Sequence, residues 1–381
     1  MRVIRFNSIC RVVILLSIVL NISCLKDDDY TIMLPQVFSY ASIPSDNSAD
    51  PNPTVNNPNT TIPNINYTVE KDGGHYIFRI DLPGIQIPGT SEWLRLKGSG
   101  YGQNVWLEVD GNPKGIVVYN NIDNYGYVDV IYDFVFLVDN SGSMSDEADA
   151  IARDIVNWAS KLNSMLDVRF GVVGYDGRIT GAIDMTSYSN VASYLNRKTG
   201  TSRTVGFEGT YASYLSGQAN YYNLTQNDEC GMAALLFADN LFTFRDGASR
   251  IYVNFTDESN MPQGYDVFSV EYLAYQSNWN TSQGTVHTVF SGSTSIIEQI
   301  GKNEKPWRMS EYTGGTVLYA NSSFSNVSLN NLPVTSAMEN SYVIKFTNAD
   351  ELLDGRTHQI KITIKTGDGK VQATKIFYVN F

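Results

Sequence analysis

The sequence predicts an α/β protein with a doubly wound central domain and an all-β sandwich formed by the N- and C-terminal segments. In the middle of the chain, short apolar strands alternate with amphipathic helices, which is typical of a mainly parallel sheet covered on both faces. Strands with period-two alternation dominate both ends, as they do in a sandwich. The 381 residues, 43% of them hydrophobic, allow two to three domains of ~100–200 residues each.

Residues 1–24 have the pattern of a bacterial lipoprotein signal peptide. Arginines precede the apolar run 12–20, which is shorter than the ~20 residues of a membrane-spanning helix but suits the core of a signal peptide. Ser23 directly before Cys24 resembles a lipobox, although Asn21 is not a favoured residue at its position. In a lipobox the cysteine is lipidated and becomes the new N-terminus, so Cys24 is the expected anchor. Ordinary secretion with cleavage nearby is the alternative.

Residues 25–66 are predicted to be an export signal followed by a disordered tether. The stretch "LKDDDY" after the cysteine resembles the signal with which Gram-negative bacteria display lipoproteins on the outer face of the outer membrane. A solvated acidic spacer is the alternative. Pro, Asn, Ser and Thr dominate residues 42–66 without apolar periodicity, which indicates an extended tether. We therefore expect a surface-exposed protein of the outer membrane that touches the membrane only through its lipid anchor.

Residues 67–131 and 322–381 are the predicted sandwich segments. In the first, "HYIFRIDL" alternates with period two. In the second, "THQIKITIK" places Ile360, Ile362 and Ile364 on one face, and "GDGK" supplies the next turn. Neither segment offers many strands by itself, so one sandwich with the middle of the chain inserted into it is expected. Two separate small β domains are the alternative.

Residues 132–321 carry the strand–helix alternation. "YDFVFLVD", "VRFGVVGY", "SRIYVNFTD" and "TVHTVFSG" are apolar strands, and "ECGMAALLFADNLFTF" is helical. Ligands of such sheets bind beyond the carboxyl ends of the strands. Asp139 and Asp257 each end a strand, so we expect both carboxylates at the same edge of the sheet.

Three oxygen-bearing side chains follow the first central strand at alternate positions. They are Asp139, Ser141 and Ser143 in "DNSGS", a spacing that can curl around one point. Hard divalent cations prefer oxygen ligands. Neutral hydroxyls do not cancel the charge of a cation, which therefore keeps its affinity for an acid from another molecule. The expected cofactor is a divalent cation, Mg²⁺ in the first place, with Mn²⁺ and Ca²⁺ left open.

At these residues the chain resembles the von Willebrand factor type A (VWA) domain. "DNSGS" matches the D-x-S-x-S metal-ion-dependent adhesion motif of that family, and "FTD" ending at Asp257 matches its last ligand. The resemblance covers 132–321, including the closing "YTGGTVLYA". It implies a Rossmann-like fold, a cation held by Asp139, Ser141, Ser143 and Asp257, and an adhesive function.

The resemblance leaves one further ligand open between two residues. Most family members use a Thr in a loop before a helix, and Thr210 in "FEGT" is a candidate. The integrin β-subunit variant uses a Glu before the helix that leads to the last ligand strand, and Glu229 has that position. The spacing to the helix favours Glu229, with Thr210 as the alternative.

Two further features border this motif. Asp146 and Glu147 match the neighbouring calcium site of integrin β subunits, although acids in the first turn of a helix also complement its dipole. With Glu229 as ligand, residues 205–227 become an insertion rich in tyrosine. Its tyrosines form either a ligand-recognition rim or a half-buried covering loop, and they are Tyr211, Tyr214, Tyr221 and Tyr222.

The predicted function is non-enzymatic binding at the cell surface. An acidic group of a protein or glycan ligand would complete the coordination of the cation. A structural or accessory subunit of a surface assembly, docking through edge strands of the sandwich, is the alternative. A metal-assisted hydrolase is disfavoured, since the three histidines lie in no recognisable motif and Cys230 has no nearby His. The formal net charge of −12 argues against nucleic acid as a partner.

Overall fold

A computed structural model describes residues 40–121, 130–224, 229–295 and 304–381. The predicted signal peptide, Cys24 and the acidic stretch that follows it lie outside the described residues. Within the described ranges, no helix is long and apolar enough to cross a membrane. The described part of the chain is a mixed α/β structure with three sheets.

The strands and helices follow the chain in three groups. The first group contains β1 (Asn66–Asp72), β2 (His75–Leu82), β3 (Val105–Val109), β4 (Asn112–Pro113) and β5 (Ile116–Asn120). The strands of the middle group are β6 (Ile131–Asp139), β7 (Asp167–Tyr175), β8 (Ile179–Thr186), β9 (Gly206–Glu208), β10 (Ser249–Thr256), β11 (Thr285–Phe290) and β12 (Val317–Tyr319). Its helices are α1 (Ala148–Met165), α2 (Tyr188–Asn196), α3 (Ala212–Ala219), α4 (Gly231–Leu241), α5 (Arg308–Thr313) and α6 (Pro333–Glu339). The last group contains β13 (Tyr342–Thr347), β14 (His358–Lys365) and β15 (Gln372–Val379).

Strands from both ends of the chain share the same two sheets. One four-stranded sheet has the order β1-β2-β13-β5 and the other has the order β15-β14-β3-β4. Both are antiparallel, with Phe78 opposite Phe346 in the first sheet and Leu107 opposite Ile362 in the second. Their inward side chains form one apolar core. The two end segments therefore make one sandwich and not two separate domains.

The middle strands form a mixed seven-stranded sheet with the order β12-β11-β10-β6-β7-β8-β9. β6 pairs in parallel with β10 and β7, whereas β8 is antiparallel to β7. On one face, Trp158 of α1 packs against Phe134 and Phe136. On the other, the side chains of α4 join a core with Val135 and Leu137. Burial on both faces explains why β6 reads as an unbroken apolar run.

The predicted tether is ordered where the structure describes it, and the prediction for residues 42–66 is corrected accordingly. Ile62 and Ile65 are buried and belong to the sandwich core. The amide of Asn52 donates to the carbonyl of Lys361 and to the hydroxyl of Thr363. Polar side chains of this segment form hydrogen bonds to the sandwich. A prediction of disorder that rests on composition does not take such bonds into account.

The predicted boundary of the middle domain at residue 321 is also corrected. Residues beyond it continue to cover the face of the sheet that carries α1. Leu329, Leu332 and Met338 are buried in the core of that face, and Trp158 donates from its indole nitrogen to the hydroxyl of Thr335 at 2.8 Å. The segment has no strand periodicity, yet it packs with the middle sheet and not with the sandwich strands that follow.

Candidate functional site

The carboxyl ends of β6 and β10 bring two of the predicted acids to one edge of the sheet. Asp139 is the last residue of β6 and Asp257 directly follows β10. The strands are adjacent and parallel, so their ends lie side by side. The hydroxyl of Thr256 donates to Oδ2 of Asp139 at 2.8 Å, and the hydroxyl of Ser143 donates to Oδ1 of Asp257 at 3.1 Å. The two strand ends are thus joined by hydrogen bonds.

The loop after β6 presents both predicted serines at this edge. The backbone N–H of Ser141 donates to Oδ1 of Asp139 at 2.9 Å, and the hydroxyls of Ser141 and Ser143 are 2.9 Å apart. Asn140 fixes the loop from the other side, since its amide donates to the hydroxyls of Thr180 and Thr204. Local side-chain-to-backbone bonds of this kind stabilise tight turns. The result is a cluster of carboxylate and hydroxyl oxygens around the strand end.

Glu229 reaches the same edge from the chain before α4. Its carbonyl accepts from the N–H of Met261 at 2.9 Å, which ties it to the loop that follows Asp257. Its carboxyl faces the hydroxyl of Ser141, and both residues line a cavity of about 400 Å³. The structure therefore brings Glu229 together with the loop of Ser141 and Ser143.

Thr210 does not reach this edge. β7 is parallel to β6, whereas β8 is antiparallel to β7 and β9 is parallel to β8. β9 therefore runs away from the sheet edge at which β6 ends. Its Glu208 lies opposite Ile183 of β8. Ile183 pairs in turn with Val172, three residues before the end of β7. Thr210 follows two residues later and lines a separate cavity of about 610 Å³ together with Asp184. The structure therefore places Thr210 apart from the cluster, and the choice of Glu229 as the further ligand stays a prediction.

The acids of the cluster lack basic partners. Asp139 is 1% exposed, and burial, with a smaller contribution from the charge of Glu229, raises its pKa to about 8 despite hydrogen bonds from Ser141 and Thr256. Burial also raises the pKa of Glu229 and that of Asp257. Within the described ranges, none of these three carboxyls forms an ion pair with Lys, Arg or His. Bringing them together has an electrostatic cost that a cation would relieve.

Glu147 and Asp146 occupy different environments at the start of α1. Glu147 is 1% exposed; its Oε1 accepts from the hydroxyl of Ser291 at 2.7 Å, whereas its buried Oε2 has no hydrogen-bond partner. Burial raises its pKa, and Asp257 and Asp146 add to the shift. Glu147 makes no side-chain capping bond to α1, so helix capping does not explain it. Asp146 is exposed.

The four predicted rim tyrosines differ in exposure. Tyr211, Tyr214 and Tyr221 are exposed at 48%, 52% and 78%, but Tyr211 lines the cavity of Thr210. Tyr222 is half-buried and packs edge-to-face against Phe237, as expected for a covering loop. The recognition rim therefore stays a prediction for the three exposed tyrosines.

Sequence reasoning missed an exposed aromatic segment in the loop after Asp257. Tyr265 and Val267 are 59% and 41% exposed, and Tyr275 is 57% exposed. Tyr265 packs against Phe268, which contacts Tyr222. The available signal was the run "YDVFSVEYLAY", which follows the strand end of Asp257 without strand or helix periodicity.

Burial or hydrogen bonding accounts for His287, His358 and Cys230 without a catalytic role. His287 is buried, and its Nδ1 accepts from the N–H of Thr316 at 3.0 Å. His358 lies in the sandwich between two aspartates. Burial raises the pKa of the Cys230 thiol to about 12, which disfavours the nucleophilic thiolate. Over the described part of the chain, no three His, Cys, Asp or Glu side chains converge tightly enough to hold a metal by themselves. A cation at this edge would therefore depend on the serine hydroxyls as well.

Comparisons with known proteins find only distant structural similarity. No family model matches the chain, and no curated protein matches it. The pilus adhesin SpaC from Lactobacillus rhamnosus GG, in its open conformation, is 11% identical with a TM-score of 0.34, over 83% of this chain and 55% of that one. The PilB minor pilin from Streptococcus sanguinis is 12% identical with a TM-score of 0.31, over 72% of this chain and 76% of that one. The conserved hypothetical protein BatB from Bacteroides thetaiotaomicron is 14% identical with a TM-score of 0.35, over 55% of this chain and 96% of that one. At such low TM-scores, none of these similarities assigns the chain to a family.

Proposed function

We propose that the chain is a surface-displayed binding protein whose carboxyl-edge cluster holds a divalent cation and, through it, an acidic group of a protein or glycan ligand. The supporting observation is the convergence of five oxygen-bearing side chains without a basic partner in the described ranges. They are Asp139, Ser141, Ser143, Glu229 and Asp257. The resemblance of "DNSGS" and "FTD" to the VWA adhesion motif supports the same proposal and implies a Rossmann-like middle domain.

The donor set fits a hard cation. Every candidate donor is a carboxylate or hydroxyl oxygen, the ligand type that Mg²⁺, Mn²⁺ and Ca²⁺ accept. Asp139 is ionised only at a cost when no positive charge is near, so binding of a cation favours its charged form. A bound cation would supply an open coordination position for an external carboxylate. The exposed Ser143 and the cavity beside Ser141 and Glu229 leave room for that group. The orphaned Oε2 of Glu147 is the candidate donor of a second, neighbouring cation site.

The proposal includes lipid anchoring at Cys24 and display on the outer membrane. An accessory role in a surface assembly is the second candidate function. It would use β15, an edge strand to which a partner strand could pair, with Ile376 and Tyr378 exposed at 39% and 53%. Part of that edge is already bonded, by Asn59 at Gln372 and by Gln276 at the carbonyl of Ile376.

Calorimetric titration with Mg²⁺, Mn²⁺ and Ca²⁺ tests the proposal. Ser143→Ala removes one hydroxyl from the cluster, and Ser145→Ala removes an exposed hydroxyl from the same loop. Saturable binding should weaken at least tenfold in Ser143→Ala and stay unchanged in Ser145→Ala. Equal heats for the wild-type chain and Ser143→Ala would refute cation binding at this edge.

A second measurement separates the two candidate roles. The wild-type chain is passed over an immobilised acidic peptide in Mg²⁺ and then in a chelator. Retention that is lost in the chelator and in Ser143→Ala supports ligand binding through the cation. Retention that is lost in Tyr378→Lys but kept in the chelator would favour docking through the sandwich edge.

A further inference from the structure

Lys375 of β15 differs from the other inward-facing lysines of the sandwich. Lys114 pairs with Asp46 at 3.0 Å, and the ammonium of Lys345 pairs with Glu70. Lys375 is partly buried, and its Nζ meets only two neutral acceptors. No carboxylate contacts it within the described ranges. Removal from water lowers its pKa to about 8, so a substantial fraction is the neutral, nucleophilic amine in mildly alkaline solution.

The nearest group to this amine is the side chain of Asn64. Nζ of Lys375 lies 2.7 Å from Oδ1 of Asn64 and 3.4 Å from the carbonyl oxygen of Ile62. Since a carbonyl bond measures about 1.23 Å, the carboxamide carbon lies no farther than about 3.9 Å from Nζ. A small rotation of either side chain would bring nitrogen and carbon to reacting distance.

The carboxamide of Asn64 is held from both ends. Asn64 is 8% exposed, and its Nδ2 donates to the carbonyl of Gly284 at 3.0 Å. The hydroxyl of Thr281 donates to Oδ1 of Asn64 at 3.4 Å. The backbone N–H of Asn64 donates to the carbonyl of Thr313 at 3.1 Å. A fixed carbonyl with a hydroxyl donor at its oxygen is suited to nucleophilic attack, because negative charge develops on that oxygen.

We propose that Lys375 and Asn64 join in an intramolecular isopeptide bond. The neutral amine attacks the carboxamide carbon of Asn64, the new carbon–Nζ bond forms, and the carbon–Nδ2 bond breaks. Counted from the ammonium form of lysine, one proton stays on the new amide nitrogen and two pass to the departing NH₂ group, which leaves as ammonium. No oxidant, reductant or other reagent is consumed.

The bond would fasten the two ends of the sandwich to each other. Asn64 precedes β1, and Lys375 lies 311 positions later in the last strand. Tension applied to the chain before Asn64 would then reach β15 directly, in addition to the path through β1. Peeling of β1 from β2 would no longer release the N-terminal segment. This is a mechanical advantage for any chain held at its N-terminal side, and it does not depend on cation binding.

Peptide mass mapping of the purified full chain tests the proposal. The folded chain is incubated in mildly alkaline buffer, its fold is checked by circular dichroism, and it is then denatured and digested. We expect a branched peptide that contains Asn64 and Lys375 and weighs one ammonia less than the sum of its two linear parts. Lys375→Met should abolish it. Lys370→Met, which changes an exposed lysine of the preceding turn, should not.

Two results would overturn the proposal. One is a folded wild-type chain that yields only linear peptides for both residues after prolonged incubation. The other is a branched peptide of Asn64 that persists in Lys375→Met, which would show that a different lysine supplies the amine. Because the decisive measurement is made on the wild-type chain, instability of a variant does not affect it.

Discussion

Glu229 and Thr210 are the two candidates for the further cation ligand. They differ in the helix that each precedes. α4 begins at Gly231, two residues after Glu229, and leads into β10, which Asp257 directly follows. Thr210 precedes the shorter α3, which follows the edge strand β9. The helix before β10 was recognisable from its apolar residues, so the position of Glu229 before this helix could be predicted from the sequence. The direction of β9 could not, because three residues give no strand periodicity.

This separation gives a prediction on cation affinity. Glu229→Gln keeps the shape of the side chain but removes its charge, so Mg²⁺ affinity should fall by about tenfold or more, as for the loss of a charge-assisted contact of ~1.5–3 kcal/mol. Thr210→Ala should leave the affinity unchanged, since Thr210 lines another cavity. Calorimetric titration of both variants with Mg²⁺ decides which of the two residues contributes to cation binding. The reverse order of effects would show that Thr210, and not Glu229, belongs to the cluster.

His358 gives a second prediction at the scale of single residues. Its Nδ1 lies 2.7 Å from Asp110 and its Nε2 lies 2.9 Å from Asp354. Only the protonated ring can donate to both carboxylates, and these bonds, that to Asp110 first, raise its pKa. A raised histidine pKa contributes stability that is complete below the unfolded value of about 6.5 and is lost as pH rises through the folded value.

The measurement is thermal unfolding of the wild-type chain and His358→Gln across that pH range. The melting temperature of the wild-type chain should exceed that of the variant most at about pH 6, below the unfolded pKa, and the difference should shrink toward alkaline pH. Asp354→Asn serves as a companion variant, because it removes one of the two acceptors and should flatten the same pH dependence. A difference that grows with pH would contradict the protonated, doubly bonded histidine.

At the scale of elements, the strands that could be predicted are those whose burial leaves a regular pattern of apolar residues. The strands of the sandwich alternate because one face is buried, and β6 is continuously apolar because both faces are. Both patterns are visible in the residues themselves. β8 was missed because its sequence, "ITGAIDMT", contains a glycine and a buried aspartate that break the pattern. Asp184 is tolerated there because it accepts from the N–H and the hydroxyl of Thr243, a contact that no local pattern encodes.

The segment before β1 provides the prediction at this scale. Ile62 and Ile65 are each 2% exposed, so Ile65→Ala should lower the free energy of unfolding by ~2–5 kcal/mol, as is usual for a buried isoleucine. Thr61→Ala, at an exposed neighbouring position, should change it by less than about 0.5 kcal/mol. Chemical denaturation of the two variants gives both values. Equal stability of wild type and Ile65→Ala would restore the interpretation of this segment as a free tether.

The whole molecule has the middle sheet inserted between strands that belong to the sandwich. β2 pairs with β13, and β3 pairs with β14, so the sandwich needs both ends of the chain. The middle sheet needs neither, because all seven of its strands lie between Ile131 and Tyr319. The sequence predicted this insertion from the β patterns at both ends. It did not predict that the connection back to the sandwich belongs to the core of the middle sheet.

That connection determines which fragment folds by itself. Residues 324–338 cover the α1 face, where Trp158 is fully buried and bonded to Thr335. A fragment of residues 130–340 keeps this cover and should unfold cooperatively with the cation affinity of the full chain. A fragment of residues 130–321 lacks this cover and exposes the apolar face around Trp158. Burial of a side chain of this size contributes ~3–5 kcal/mol to the free energy of unfolding, so the shorter fragment should be much less stable.

Thermal unfolding and Mg²⁺ titration of the two fragments test this account of the molecule. We expect the shorter fragment to aggregate or to melt without a sharp transition, and the longer one to behave as an independent domain. Trp158→Phe in the longer fragment is the matched control, because it keeps most of the apolar volume but loses the bond to Thr335. Its melting temperature should fall below that of the unmodified longer fragment, but its transition should stay sharp. Equal, sharp transitions in both fragments would show that the sheet is complete at residue 321 and that the following segment only connects it to the sandwich.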